Sequence, residues 1–510
     1  MPPATVWWGN ALVRGYLPYP PRRPRVGNAA GSPYPAQRDE VVLPMTVVHP
    51  TRGYADVLVG LQYGDEGKAK IIDLIAPDYD IVARFNGGAN AGHTIETPQG
   101  RVVLQQVPCA IFQPQTLLYI GSGCAVNLWK LVAELDQIAA HGVDLTGRLH
   151  ISDRAAVVQA AHILIDERDS AGIGTTKNGM GPCYADRAYR MRGGARTNLQ
   201  LRDVLADPAG ALEAMRAAAD AELAGYDGDT SAPRRDLQQR LDSFAACVER
   251  VRGHVQPRRT WLAERVGQGA RVLFEGAQST MLDVVHGDQP FVTASHTVPA
   301  YAYVGGDLPP RFHRYTIGVA KAVMSRVGNG PFPSELGAER SAAYFADAVS
   351  AGRGRAEEQA EFDMHRLRFS TDEMELGIAM RMLTHEYGSG SGRPRRIGIL
   401  DLEQLREMVV AFGVDVVYLN KVDCLSLYGE SMFGGIPVRV PATADQGATR
   451  VLPSFTADQL RADQPDVLPL ELLEFRSFVE REIGVPVIGF GMGPKRDQIT
   501  QFFRLGEFAR

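Results

Sequence analysis

One stretch constrains the fold of this chain more than any other. It is a short apolar run, Ala55-Asp56-Val57-Leu58-Val59-Gly60-Leu61, followed almost at once by a glycine turn, Gly64-Asp65-Glu66-Gly67-Lys68-Ala69-Lys70. A continuous apolar run of this length reads as a strand buried on both faces, which is a feature of parallel sheets. Parallel strands need long crossovers, so the chain must also supply helices. In the turn, two glycines allow a tight bend and close backbone approach, and a helix starting behind them favours an anion. Lys68 would sit over that anion as a point charge. The turn is not a Walker A loop, because the GxxxxGK[ST] spacing fails and no hydroxyl residue follows the lysine. Taken alone, it reads equally as a surface turn of mixed charge.

The same alternation continues along the chain. Strands are expected at 81–85, 117–120, 271–274, 414–419 and 485–488. Helices are expected at 68–74 and around 127–140, 202–223, 235–252, 315–325, 372–385 and 402–411. This predicts an α/β fold: a doubly wound, mainly parallel central sheet with helices on both faces. The Ala-, Asp- and Arg-rich stretch 195–265 reads as an extra helical region outside the sheet. Residues 1–50, with the cluster Pro18 to Arg25, have no apolar period and are expected to be a disordered Pro/Arg-rich extension. That segment lacks the apolar core of a secretory signal; an organelle-targeting leader and a true start at Met45 are both compatible with it. Residues 51–510 then form the working domain.

Composition narrows the functional class. The 510 residues are 45% hydrophobic and 22% charged, with a net charge of −5. Such a chain can bury a large core, and its mild acidity argues against a nucleic-acid partner. No run approaches the roughly 18–20 apolar residues of a membrane span. The cysteines Cys109, Cys124, Cys183, Cys247 and Cys424 are scattered and odd in number, which excludes a disulfide framework and suggests a cytoplasmic setting. Of 54 basic side chains only seven are lysines. Where Arg is the default cation, the remaining lysines mark sites at which a planar fork would not serve.

Two further glycine or strand-end motifs carry chemistry. Asn86-Gly87-Gly88-Ala89-Asn90-Ala91-Gly92-His93-Thr94 would bring an imidazole close to a ligand oxygen; the alternative is a structural histidine. Asn420-Lys421-Val422-Asp423 follows a predicted strand, where open α/β sheets bind ligands. An NKxD tetrapeptide there reads guanine, with the Asp accepting from the ring N–H and the exocyclic amine, although four residues also recur by chance. Gly388-Ser389-Gly390-Ser391-Gly392-Arg393-Pro394-Arg395-Arg396 is a glycine-serine loop carrying three arginines. It suits a dicarboxylate or, equally, a solvated basic linker.

Together, and in this order, these motifs resemble the adenylosuccinate synthetase family. The likeness also takes in Ile173–Pro182, Phe274–Gln278, Arg326–Pro333 and Gly493-Pro494, and spans about residues 55 to 510. It implies a carbon–nitrogen ligase that joins L-aspartate to C6 of a 6-oxopurine nucleotide through a 6-phosphoryl intermediate. By resemblance, Asp65 is the base, His93 assists phosphoryl transfer, and Lys68 and Gln278 complete the catalytic set. Mg²⁺ is implied on Asp65 and the Gly92 carbonyl. Asn90, Thr176, Arg190, Gln278, Thr293 and Arg393 match nucleotide-holding positions, with Arg190 serving a neighbouring subunit and so implying a homodimer. Gly390, Ser391, Arg393 and Arg395 match the aspartate loop. The donor, GTP or ATP, would meet Gly64, Glu66, Gly67, Lys68, Gly92, His93, Thr94, Lys421, Asp423, Gly491 and Gly493.

Several residues depart from the family pattern. Tyr63 stands for a Trp, Ala69 for a Gly, Gly390-Ser391 for two threonines, Ile399 for a Trp, and Asn178 for an Arg. Phe490-Gly491-Met492 replaces a Ser-Thr pair. By resemblance these positions face ligands, and they point to the viral branch of the superfamily, which uses dGMP to make a 2-aminoadenine precursor. Leu61-Gln62-Tyr63-Gly64 resembles that branch. Asp65 and the guanine-reading Asn420–Asp423 resemble the IMP- and GTP-using enzymes instead. The expectation drawn from the departures is dGMP, with IMP as the alternative.

Overall fold

The computed structural model describes residues 53–507, except 98–99, 170–174, 193, 227–228, 389–391, 443–447 and 461–466. The expected extension at 1–50, and Gly390 and Ser391, therefore lie outside the described residues. The frame is a sheet of 10 strands. In chain order they are β1 (Tyr54–Gly60), β2 (Ile81–Arg84), β3 (Leu117–Ile120), β4 (Leu149–Ser152), β5 (Val255–Gln256), β6 (Arg271–Ser279), β7 (His313–Lys321), β8 (Val416–Asn420), β9 (Val487–Gly491) and β10 (Ile499–Gln501). Their spatial order is β5-β4-β3-β2-β6-β1-β7-β8-β9-β10. Every neighbouring pair is parallel except β9 with β10, which closes one edge antiparallel.

The chain winds outward from β1 through β2 to β5, returns to β6 beside β1, and then winds the other way through β7 to β10. The order reverses around β1, so the carboxyl ends of β1, β6, β7 and β8 face the crevice where such sheets bind ligands. The expected architecture is thus observed. Helices form where the sequence provides an apolar stripe and a cap. Helix Leu128–Ala140 buries Leu128, Leu131, Leu135 and Ile138, and the Asn127 side chain accepts from the Lys130 amide. Helix Leu402–Phe412 is capped by Asp401 and stopped by Gly413 in the left-handed region.

Three expectations need correction. The segment 315–325 is not a helix but β7, a central strand whose side chains are buried from Tyr315 onward. An apolar run buried on both faces carries no period of its own, so helix and strand were not separable there. The expected helix 202–223 is two helices, Leu201–Ala206 and Pro208–Ala224, because Pro208 starts a new helix with Asp207 as its cap. The helical region 195–265 is real, but it also contributes the two-residue edge strand β5. Strands β4 and β10 were not anticipated. Among the described residues no helix is long and apolar enough to cross a membrane.

One buried acid ties a helix to the loop behind the site. Glu134 accepts from the backbone amides of Gln105 (2.9 Å), Gln106 (2.9 Å) and Val107 (3.0 Å). Burial pushes its carboxyl up to about 7, against these donors and Arg84. The folded protein therefore holds the Glu134 proton more tightly than the unfolded chain. This stabilisation is present at low pH and is lost as pH rises from about 4.5 to about 7. Glu134→Gln should gain stability relative to wild type across that window by on the order of 3 kcal/mol. Denaturant melts at pH 5 and pH 7.5 check this; a pH-independent difference would refute it.

Candidate active site

A cavity of about 680 Å³ opens at the switch point of the sheet. Its floor is the turn after β1. Glu66 is 1% exposed, and its carboxylate folds back beneath the turn. It accepts from the Gly64 amide (2.9 Å), the Gln62 amide (3.3 Å), the Ser279 hydroxyl and the Lys68 ammonium (2.7 Å). A Cβ at position 60 would lie 2.3 Å from the Glu66 carboxylate oxygen, so a side chain there would displace that carboxylate. Burial pushes the Glu66 carboxyl up, but Lys68 and Lys321 overcome this and keep it ionised. Its carboxylate is thus spent on shaping the turn and holding Lys68.

Asp65 stands at the top of this turn in the left-handed region, with φ of 57°. It lines the cavity and is 38% exposed at the side chain. Arg395 Nε donates to its Oδ2 at 2.9 Å. Burial alone would raise the Asp65 carboxyl; Arg395 and Lys321 hold it below the usual range, so it is an ionised base at neutral pH.

The second wall is the turn after β2. Asn86 clips it to β6, donating to the Ala277 carbonyl (3.1 Å) and accepting from the Ala277 amide (2.9 Å). Asn90 accepts from the Gly88 amide at 3.1 Å and reaches Thr293 Oγ1 at 3.4 Å. His93 ends the turn, 6% exposed, and its Nδ1 lies 2.5 Å from Glu275 Oε1. Glu275 also accepts from the Cys109 amide (2.7 Å) and thiol (3.1 Å). Burial favours the uncharged imidazole and outweighs Glu275. Burial opposes ionisation of Glu275, yet His93 and Arg84 keep it a carboxylate. The Nδ1–H therefore donates to Glu275, which fixes the tautomer and leaves Nε2 for the cavity. A carboxylate behind an imidazole also stabilises the imidazolium formed when Nε2 takes a proton.

The third wall comes from β8 and β9. Asn420 Nδ2 donates to the Glu66 carbonyl at 2.6 Å, which joins β8 to the first turn. Lys421 donates to the Thr384 carbonyl at 2.6 Å and pairs with Glu386, whose other oxygen faces Lys321 at 3.3 Å. Asp423 is partly buried and its Oδ1 has no hydrogen-bond partner among the described residues; burial pushes its carboxyl up. Lys70 donates to the carbonyls of Gly493 (2.7 Å) and Gln498 (3.1 Å), and burial pulls its ammonium down to about 8.

Most residues expected from the sequence meet here. Gly64, Asp65, Glu66, Gly67 and Lys68 line the cavity, as do Asn90, Gly92, His93, Thr94 and Thr176. Gln278, Arg393, Arg395, Lys421 and Gly493 complete the lining. Gln278 sits in the left-handed region with a buried Oε1 that lacks a partner among the described residues. Thr293, Asp423 and Gly491 stand just behind the lining, and Arg190 is exposed at the end of helix Met180–Tyr189, away from it. Five of the seven lysines line the cavity: Lys68, Lys70, Lys130, Lys177 and Lys421. Sequence reasoning assigned no role to Glu275, Glu386 or Lys70. The signal for Glu275 was a single acid inside an apolar strand.

The departures from the family pattern look different in three dimensions. Tyr63, Ile399 and Phe490 are 1%, 6% and 0% exposed and belong to the hydrophobic core. Tyr63 packs edge-on to Phe332, lies under Arg326 and accepts from Gln404 at 2.9 Å. These three do not line the cavity, while Gly390 and Ser391, the departures on which the expectation of dGMP chiefly rests, lie outside the described residues. Ala69 and Asn178 do line the cavity.

A lysine-bearing glycine turn, an ionised carboxylate and a carboxylate-backed imidazole meet at the switch-point cavity of a doubly wound sheet, as suits a nucleotide-using enzyme. Residues 57–500 match the family model described as adenylosuccinate synthetase. The chain is 52% identical over 452 residues to adenylosuccinate synthetase 2 of Cupriavidus pinatubonensis, covering 88% of this chain and 98% of that protein. It is 35% identical to the adenylosuccinate synthetase of Moorella thermoacetica, covering 87% and 98%. Two solved structures share the fold. Fully ligated adenylosuccinate synthetase from Plasmodium falciparum has a TM-score of 0.69 at 24% identity, covering 88% of this chain and 99% of that one. The cyanophage S-2L succinoaminodeoxyadenylate synthetase, bound to dGMP and dATP, has a TM-score of 0.56 at 19% identity, covering 89% and 97%. The chain belongs to the adenylosuccinate synthetase family, and it is a carbon–nitrogen ligase that joins aspartate to a purine nucleotide.

Glu275→Gln should lower kcat by about 10²-fold, and His93→Ala by about 10²–10⁴-fold. Steady-state turnover measured alongside circular dichroism checks this; a well-folded Glu275→Gln protein with full kcat would refute the orienting role.

Proposed function

We propose that this enzyme makes adenylosuccinate from IMP and L-aspartate at the expense of GTP. The observation that carries the choice of IMP is 52% identity across 88% of the chain to a bacterial adenylosuccinate synthetase. The dGMP-bound phage enzyme is alike in fold alone, at 19% identity. The buried Asp423 Oδ1, unpartnered among the described residues, favours GTP. Guanine offers N1–H and a 2-amine to such a carboxylate, whereas adenine presents an acceptor at N1 that it would repel.

In this reading Asp65 takes the N1 proton of IMP. The γ-phosphoryl group then moves from GTP to O6, releasing GDP, while His93, protonated at Nε2 and backed by Glu275 as the imidazolium, donates from Nε2 to the transferring group. The amine of aspartate attacks C6 and phosphate leaves, giving adenylosuccinate. Lys68 neutralises donor phosphates, Gln278 and Asn90 hold the purine nucleotide, and Arg393 and Arg395 face the aspartate carboxylates. The ionised, cavity-lining Asp65 and the Gly92 carbonyl are hard oxygen donors that suit Mg²⁺, which would neutralise the phosphates. His93, Cys109 and Glu275 form the only metal-like cluster among the described residues, but it is buried, with mixed N, S and O donors that suit a softer ion.

A product assay crossing IMP and dGMP with GTP and ATP tests the substrates. IMP should exceed dGMP in kcat/KM by at least about tenfold, or roughly 1.4 kcal/mol of differential transition-state binding. A preference for dGMP would reverse the assignment.

We also propose that the working unit is a C₂ homodimer. Arg190 is exposed and flanked by Tyr189 and Met191, 57% and 59% exposed, which form an apolar, arginine-bearing surface fit to meet a second copy. Mixing Arg190→Ala with Asp65→Ala protein should restore part of the activity through hybrid sites. A fully active monomer in sedimentation would contradict it.

A further inference from the structure

Helices Ala338–Ser350, Arg355–Glu361, Met364–Leu367 and Glu373–Leu383 form a layer beside the cavity. This layer is organised around a carboxylate that no reading of the reaction uses. Glu358, on the second helix, is 0% exposed. Arg381, on the fourth, grips it with two bonds, Nε to Oε2 at 2.9 Å and Nη2 to Oε1 at 2.6 Å. Two phenols add to this: Tyr344 donates to Oε1 at 2.9 Å and Tyr387 to Oε2 at 2.7 Å. A buried carboxylate is costly unless its lone pairs are satisfied, and here four hydrogen bonds from three residues on separate segments satisfy them.

The significance lies in where these donors lead. Tyr387 is on the first stem strand of the glycine-serine loop. Arg381 spends its remaining Nη1 on the backbone carbonyl of Arg395, on the second stem strand, at 2.9 Å. The two strands are paired: Tyr387 bridges Pro394, the Gly388 amide donates to Arg393 (2.8 Å), and the Arg395 amide donates to Glu386 (3.0 Å). One carboxylate therefore fastens both strands at the root of the loop. Arg395 reaches Asp65 from this root, and Glu386 reaches Lys421. Phe345, from the first helix of the layer, lines the cavity itself.

We propose that Glu358 is a positioning residue that, through Arg381 and Tyr387, sets the root from which Arg393 and Arg395 are presented to the aspartate co-substrate. This rests on reading those arginines as aspartate-binding. A buried ion pair often contributes little net stability against an apolar replacement, so the geometry that Glu358 imposes on both sides of the loop root is its distinguishing effect.

Glu358→Gln retains volume and one acceptor but leaves Arg381 partly unpaired, and Tyr387→Phe removes one hydroxyl. The KM for aspartate should rise by about tenfold in Glu358→Gln and about threefold in Tyr387→Phe. KM for the nucleotide should stay within about twofold and kcat at saturating aspartate within about threefold. A KM for aspartate that is unchanged in both variants would overturn the proposal. So would a loss of melting temperature with all kinetic constants falling together, since that is what a merely structural residue would produce. A second readout needs no turnover: hydrogen exchange at the Gly388 and Arg395 amides of the ligand-free protein should be about tenfold faster in Glu358→Gln. Unchanged exchange there overturns the positioning role. Absence of aspartate-dependent turnover in wild type, with exchange still accelerated in the variant, would instead overturn the reading of the site.

Discussion

The fold of the active site hangs on the Glu66 carboxylate. It sits under the glycine turn, takes the Gly64 and Gln62 amides, and holds Lys68 where a phosphate would lie. It also reaches Ser279 at the end of β6, and its backbone carbonyl takes Asn420 from β8. Three strand ends are thereby locked to one turn. Asp65 is the consequence: with its neighbour pinned beneath, it is held in a left-handed backbone conformation, pointing into the cavity. A non-glycine residue seldom adopts that conformation unless its surroundings impose it.

Buried carboxylates recur as organisers throughout the site, and each is compensated by a different kind of donor. Glu275 has an imidazole, a thiol and an amide. Glu386 has two lysines and Ser325. Glu358 has a bidentate arginine and two phenols. The lysines cluster where a compact ammonium must share a crowded pocket with loop backbone or phosphate. The arginines serve where a planar fork meets a carboxylate, as Arg396 does with Glu335 and Arg314 with Asp56. The chain's near-exclusive use of arginine elsewhere is what makes this division visible.

The sheet was legible because parallel strands buried on both faces are apolar runs bounded by turns. The strand 117–120 was placed with the bounds observed, and β1, β2, β8 and β9 were found within about three residues. Strand β7 failed for the same physical reason that β1 succeeded: an unbroken apolar run signals burial, not conformation. Strands β5 and β10 are too short and too near the edge to carry a pattern. At the site, glycine turns and strand-end motifs revealed the residues whose backbone must do something unusual. They did not reveal Glu275 or Glu358, because a buried acid is recognisable only with its partners, and those partners come from distant parts of the chain.

The misreading of the departures follows from the same limit. Substitutions near motifs were taken to face ligands because their neighbours in sequence do. Successive side chains along a strand point to opposite faces, however, and direction is set anew in the turn that follows, so neighbours in sequence need not share surroundings. Tyr63 is one step from Gly64, yet its ring is packed among Phe332, Arg326 and Gln404, while Gly64 lines the cavity. Phe490 precedes the donor loop, but its ring packs against Phe502 on β10's side of the sheet. The volume lost where a tryptophan became tyrosine or isoleucine is thus a matter for the core, which tolerates hydrophobic exchange when neighbours repack. Substrate choice is left to the residues that touch the cavity, and among these Ala69 and Asn178 are departures that stand beside Asp65, His93 and Lys421.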